Sequence, residues 1–199
     1  MASAHPYHHG NLREALIEAA VQLIAEVGPD GFTLREVARR AGVSHNAPYR
    51  HFRDKDALLA AVAGQGFEEL TQSMLVAARK QQSPLERLRA AGLAYVEFAL
   101  RRPQHFTSMF DASPAETGEA GDAGARAFQT LVGFIEACQA AGSIPAGDPQ
   151  PFALTAWSLV HGIAKLALAG RFPGWTKTEI RGFAQFAIES SLRGLSRAG

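Results

Sequence analysis

Cys138 is the only cysteine in this chain of 199 residues, so no intramolecular disulfide framework holds its fold. The thiol is expected to pack inside a helix as a small hydrophobe rather than to act as a redox sensor. No apolar run reads as long enough to cross a bilayer, and the N-terminus lacks the basic start and apolar core of a signal peptide. The expected compartment is therefore the cytoplasm, with no membrane partner. Net charge is nearly absent, at +1, so attraction to a polyanion would have to come from a local patch. Missing too are a phosphate-cradling glycine loop, a nucleophile elbow and a paired His-Glu metal spacing. An enzyme is not expected, nor a cofactor, nor a metal. No alternating strand pattern and no internal repeat stands out.

What is present is helical periodicity, with a hydrophobic content of 47% that suffices for a core at this length. Leu12, Leu16, Ala19, Ala20, Leu23 and Val27 share one face of a first helix, which Gly28-Pro29-Asp30-Gly31 ends. A long helix is predicted from Lys55 to about Lys80. Ser83-Pro84-Leu85-Glu86 supplies a cap, a first-turn proline and a glutamate for a helix reaching about Arg102, where Pro103 stops it. A short helix should cover Gln104 to Phe110. Residues 111 to 124, rich in Ala, Gly, Glu and Ser, read as a mobile loop. Helices near 125–141, 149–170 and 177–196 follow. Asp148-Pro149 and Thr176 with Glu179 mark the last two starts, and Trp175 and Ile180 are placed as a staple. The predicted fold class is all-α, with about nine helices.

The most informative stretch runs from Thr33 to Lys55. Thr33 and Glu36 have the spacing of a capping box, with Phe32 and Val37 as its hydrophobic staple. Leu34, Val37, Ala38 and Ala41 fall on one face and leave Arg35, Arg39 and Arg40 mostly outside it. Gly42 sits where a left-handed residue ends a helix. Ser44 is a ready N-cap for a second helix presenting His45, Asn46 and Ala47, with Phe52 as its anchor to the core. Asp54 then caps the segment from Lys55. This is the layout of a helix-turn-helix that lays its second helix in a DNA groove. Between Gly31 and Lys55 six cations face two anions, so the positive excess of the chain is concentrated here, as phosphate attraction requires. Pro48 is the discordant residue. With Ser44 as cap it lacks the N–H of the first intrahelical bond and disfavours helical geometry at Ala47, so it should shift or tighten the helix start. The rival reading is a ligand-binding or protein-interaction module whose DNA-reading head has decayed.

From Tyr7-His8-His9-Gly10-Asn11-Leu12-Arg13 to Leu58-Leu59 the sequence also resembles the tetracycline-repressor-type (TetR) transcriptional regulators. Phe32-Thr33-Leu34, Val37-Ala38, Ala41-Gly42-Val43-Ser44, Tyr49-Arg50-His51-Phe52 and Asp54 to Leu58 carry the likeness. The resemblance implies a three-helix DNA-binding domain at residues 1–56 and a helical effector-binding and dimerisation domain at 57–199. It implies that Tyr49, His51 and Lys55 contact phosphates, while His45, Asn46 and Ala47 face base edges. Asn46 could pair with adenine and Ala47 could touch a thymine methyl. Thr33, Arg35, Ser44 and Arg50 complete the expected DNA-contacting set. His5, His8 and His9 read as a flexible arm in preference to a metal site, with His8, His9 and Arg13 near phosphate. The resemblance further implies a homodimeric repressor, acting at the nucleoid on a palindromic operator in double-stranded DNA.

The last two helices are apolar around most of their girth, which calls for partners on two sides. The dimer face is expected to include Phe152, Leu159, Ile163, Leu166, Ile180, Phe183, Phe186, Ala187 and Leu192. The run from Trp157 to His161 and Gly162 is similar to a C-terminal subclass of the family marked by Trp, His and Gly. Trp157 and His161 share a helical face. They read either as an effector-pocket wall or, preferentially, as a hydrogen-bonded core or dimer histidine beneath a packed indole. A small-molecule effector, mostly apolar, is expected among Phe67, Met74, Phe98, Phe106, Met109, Phe110 and Phe128, with Tyr95 nearby.

Overall fold

The computed structural model describes residues 12–110 and 118–196. Among them are eight α-helices and no strand: α1 (Leu12–Val27), α2 (Leu34–Arg40), α3 (Lys55–Arg79), α4 (Pro84–Arg101), α5 (Pro103–Phe110), α6 (Gly118–Ala140), α7 (Pro149–Leu168) and α8 (Lys177–Ser196). A single 3-10 turn, Pro48–Arg50, lies between α2 and α3. The N-terminal arm with His5, His8 and His9 lies outside the described residues.

The local start signals act as their chemistry requires. Thr33 and Glu36 form a reciprocal box at α2, the Glu36 carboxylate accepting from the Thr33 N–H at 2.7 Å. Ser83 and Glu86 do the same at α4, and Thr176 and Glu179 at α8. Each box satisfies amide donors that the first turn otherwise leaves orphaned. The three carboxyls are held below the usual glutamate range by these hydrogen bonds. Trp175 takes Phe172 and Phe183 as ring neighbours, at 5.1 and 5.9 Å between centroids.

Two hydrophobic cores form. The first gathers Leu16, Ile17, Ala20, Leu23, Phe32, Leu34, Val37, Phe52, Leu58, Leu59 and Val62. The second is built on α4, which packs against α3, α6, α7 and α8. Helix α3 belongs to both: its first turns enter the N-terminal core and Leu70 and Met74 enter the other. The N-terminal core therefore runs past residue 56 into α3.

Two expectations are corrected. Helix α6 begins at Gly118 rather than near residue 125. Its Ala120, Ala123 and Ala127 are buried, and a Cβ on Gly124 would come within 3.3 Å of Phe67. Small residues that suggest a loop are here the surface that lets α6 approach α3, and packing overrides their weak helix propensity. Helix α7 is, by length and composition, apolar enough to cross a membrane, contrary to the sequence expectation. Within the fold it packs against α4, α6 and α8 and buries Ala153, Val160, Ile163 and Ala164. Cys138 is fully buried and desolvation pushes its thiol up to about 11, which is the behaviour of a packing residue and not of a reactive sensor.

Candidate nucleic-acid interface and ligand cavity

The head is assembled by a tight turn. Gly42 takes φ +70°, Val43 N–H donates to the Ala38 carbonyl at 3.0 Å and Gly42 N–H to Arg39 at 3.2 Å. These are the paired bonds of a Schellman ending, open to glycine without strain. The chain then leaves α2 toward the segment expected to read bases.

That segment is not an α-helix capped by Ser44. Ser44 to Ala47 form a turn in which Ala47 N–H donates to the Ser44 carbonyl at 2.9 Å, and helical structure starts only at Pro48. Pro48 has no N–H to give the Ser44 carbonyl across a full helical turn, so the shorter bond is made instead. Ala47 keeps right-handed helical backbone (φ −61°, ψ −41°) despite preceding a proline. Pro48 itself is fully buried, and its carbonyl accepts from His51 and Phe52 at 2.9 Å each. The proline is thus an anchor of the head, beside Phe52 in the core.

On this support Ser44, His45, Asn46, Tyr49, Arg50 and His51 are exposed, as are Thr33 and Arg35; Ala47 and Lys55 are half-buried. Tyr49 exposes 52% of its surface although it is a large aromatic, where core packing would have hidden it. The cations divide. Among the described residues Arg35 and Arg50 hold no ion pair. Arg40 is drawn back onto α1, where its guanidinium donates to both Glu26 carboxylate oxygens, one at 2.8 Å. Lys55 donates to the Asp30 carbonyl at 3.0 Å and sits 5.0 Å above the Phe32 ring. Arg13 lies 5.7 Å over Phe52. Part of the basic patch counted from sequence therefore braces the head.

A cavity of about 250 Å3 opens between α3, α4, α5, α6, α7 and α8. Of the aromatic set expected there, Phe67, Met74, Phe110, Phe128 and Trp157 line it. Phe98, Phe106 and Met109 do not; they are buried in the packed core. His161 stands behind the wall. Its Nδ1 is 2.8 Å from the Tyr95 hydroxyl, and Trp157 Nε1–H donates to the same oxygen at 3.2 Å. His161 also stacks on Phe106 at 5.5 Å and meets Phe110 edge-on at 4.6 Å. Trp157 thus lines the cavity, and the partly buried His161 is hydrogen-bonded to Tyr95. Desolvation raises the Tyr95 phenol above its ordinary range, so it stays protonated.

Three residues expected on a dimer face, Phe152, Leu159 and Leu192, line this cavity. Ile163 and Ile180 are buried within the chain, and Phe183 and Ala187 pack partly against the same core. Leu166 and Phe186 remain exposed, at 48% and 62%. Sequence reasoning also missed the aliphatic wall, including Leu70, Leu88, Ala91, Leu131, Ile135, Val160 and Ile188. These occupy core-facing helical positions, and periodicity does not separate a residue facing a void from one facing a neighbour.

Residues 16–62 match the profile of the bacterial regulatory proteins of the tetR family, and residues 88–190 match the tetracyclin repressor-like C-terminal domain. The chain belongs to the TetR family of regulators. The curated relatives are named as repressors or transcriptional regulators, as is a structural neighbour from Rhodococcus RHA1 described as a regulatory protein in the tetR family. The Escherichia coli tetracycline repressor protein class C is 49% identical over 51 residues, 26% of this chain and 23% of that one. The chain spans less than a third of the length of the curated relatives it matches. A Rhodococcus sp. RHA1 protein of unknown function is 37% identical, with 97% of this chain and all of that one covered at a TM-score of 0.84. AibR, solved with isovaleryl coenzyme A and operator DNA, shares the fold at a TM-score of 0.65 and 21% identity, over 92% of this chain and 97% of that one.

Proposed function

We propose that this TetR-family protein is a homodimeric repressor that binds a palindromic operator and is released by a small molecule bound in the cavity. The observation that carries this reading is the double membership of α3. Leu58, Leu59 and Val62 are fixed in the core of the head, while Phe67, Leu70 and Met74 on the same helix form cavity wall. A ligand that moves the wall thereby acts on the head through one continuous helix. It can do so only through unequal affinity for two conformers.

In the head, Tyr49 and His51 grip phosphates, joined by Arg50 and Arg35. Lys55 contributes the ammonium donors not given to Asp30. His45, Asn46 and Ala47 face base edges, Asn46 toward adenine and Ala47 toward a thymine methyl. Thr33 and Ser44 add hydroxyl contacts to the backbone. The segment that does this is a turn and one 3-10 step, so its reach into the groove depends on how the buried Pro48 seats it. The Trp157, His161 and Gly162 run supports the C-terminal subclass marked by those residues. Leu166 and Phe186 mark the face on which a second copy would dock, placing two heads about 34–36 Å apart for successive major grooves.

The deciding experiment is selection from random duplexes, followed by footprinting. A palindromic site is expected, and failure to recover one overturns the DNA-binding reading. On that site Tyr49→Phe should weaken binding to all sequences by a similar factor with its salt slope unchanged, while Asn46→Ala should relax preference at one base pair. Phe186→Glu should shift sedimentation from dimer to monomer; an unchanged dimer would remove α8 from the interface.

A further inference from the structure

Among the described residues, the cavity wall holds no group that carries charge. Its side chains are hydrocarbon except for Tyr95, Trp157, Ser191 and the Met74 thioether. Two of the polar tips are already occupied with each other. The Trp157 indole donates to the Tyr95 oxygen, and that oxygen is bonded on its other side to His161 Nδ1. Among the described residues, no Arg, Lys or His lines the space to receive an anion, and no Asp or Glu to receive a cation. An ionised ligand group would enter without a partner, which is far more costly than leaving it in water. For scale, a dry cavity of about 150 Å3 walled by Leu, Ile and Phe holds benzene. The 250 Å3 here leaves room for a larger ring system or a ring with an alkyl chain.

We propose that the cavity takes an uncharged, largely hydrocarbon molecule and rejects carboxylates and other anions. The rejection arises because the Trp157–Tyr95–His161 chain ties up the indole donor that could otherwise meet an anion. This rests on the cavity being the effector site, and it goes further by fixing the chemistry of the occupant.

The test uses the full chain carrying Trp175→Phe, which leaves Trp157 as the single tryptophan reporter in the wall. Three shape-matched probes are titrated near neutral pH: para-hexylphenol, para-hexylanisole and para-hexylbenzoate. The phenol and the anisole should both change Trp157 emission, with affinities within about tenfold, the span of one neutral hydrogen bond. The benzoate should bind at least about 100-fold more weakly. In Tyr95→Phe, which frees the indole N–H, the gap between phenol and benzoate should narrow by about tenfold or more. Benzoate binding as tight as phenol overturns the proposal and leaves the cavity as a ligand site. An unchanged gap in Tyr95→Phe overturns the hydrogen-bond chain as the cause. Silence from all three probes overturns proposal and ligand site together. If the phenol binds without releasing selected operator DNA, the ligand class stands and the effector reading fails.

Discussion

Gly66 of α3 lies directly beneath Met109 of α5: a Cβ added there would come within 2.7 Å of the Met109 sulfur and 2.9 Å of its Cγ. The missing side chain is what allows α5 to press onto the helix that joins head to cavity. Gly133 of α6 is the contrasting case, since a Cβ there would meet nothing within 4 Å. A mid-helix Gly→Ala change gains about 1 kcal/mol from propensity alone. Gly133→Ala should show that gain in thermal or urea unfolding. Gly66→Ala should lose it and more, because overpacking costs about 1–3 kcal/mol. Equal stabilisation by both changes would mean that α5 does not sit on α3 in this way.

The cations of the head should separate by their partners. Arg50 is exposed and holds no ion pair among the described residues, whereas the Arg40 guanidinium is committed to Glu26. On a selected operator, Arg50→Ala should reduce the salt slope of binding by about 1. Arg40→Ala should leave the slope nearly unchanged, because its charge already has a partner on α1. Fluorescence anisotropy across a salt series reads both. Similar slope changes for the two variants would show that the Arg40–Glu26 pair opens on DNA.

The fold was legible wherever a local rule and the tertiary environment agree. The capping boxes at Thr33, Ser83 and Thr176, and the stops at Gly28 and Pro103, need only neighbouring residues to act. The errors share a different cause. Gly118 to Gly124 read as loop because the compensating partner, Phe67, lies on another helix. The Ser44 cap failed because Pro48 withheld one donor, and only the buried environment of Pro48 shows that it serves as an anchor. Within the cavity, Phe67, Phe110 and Phe128 were legible as part of the aromatic set in the middle of the chain. That Phe152, Leu159 and Leu192 line the cavity was not legible, because an apolar helical position names no particular neighbour. An empty space is a property of several helices at once, and no single stretch of sequence encodes it.

His105 on α5 provides a pH-dependent test of the packing between α5 and α3. It is buried, with 3% of its surface exposed, and among the described residues neither ring nitrogen has a hydrogen-bond partner. Burial lowers its pKa below the ordinary histidine value; the nearby Glu69 carboxylate opposes that shift and Arg102 adds to it. The unfolded chain therefore binds the proton more readily than the folded one, so stability rises with pH in the window below about 6.5. Acidification from about pH 7 to about pH 5 should lower the melting temperature of the wild type more than that of His105→Leu. At neutral pH the same change removes two unpaired buried nitrogens, and should be neutral or stabilising by about 1 kcal/mol. Parallel pH profiles for the two proteins would place the His105 proton in a polar environment that the packing of α5 excludes.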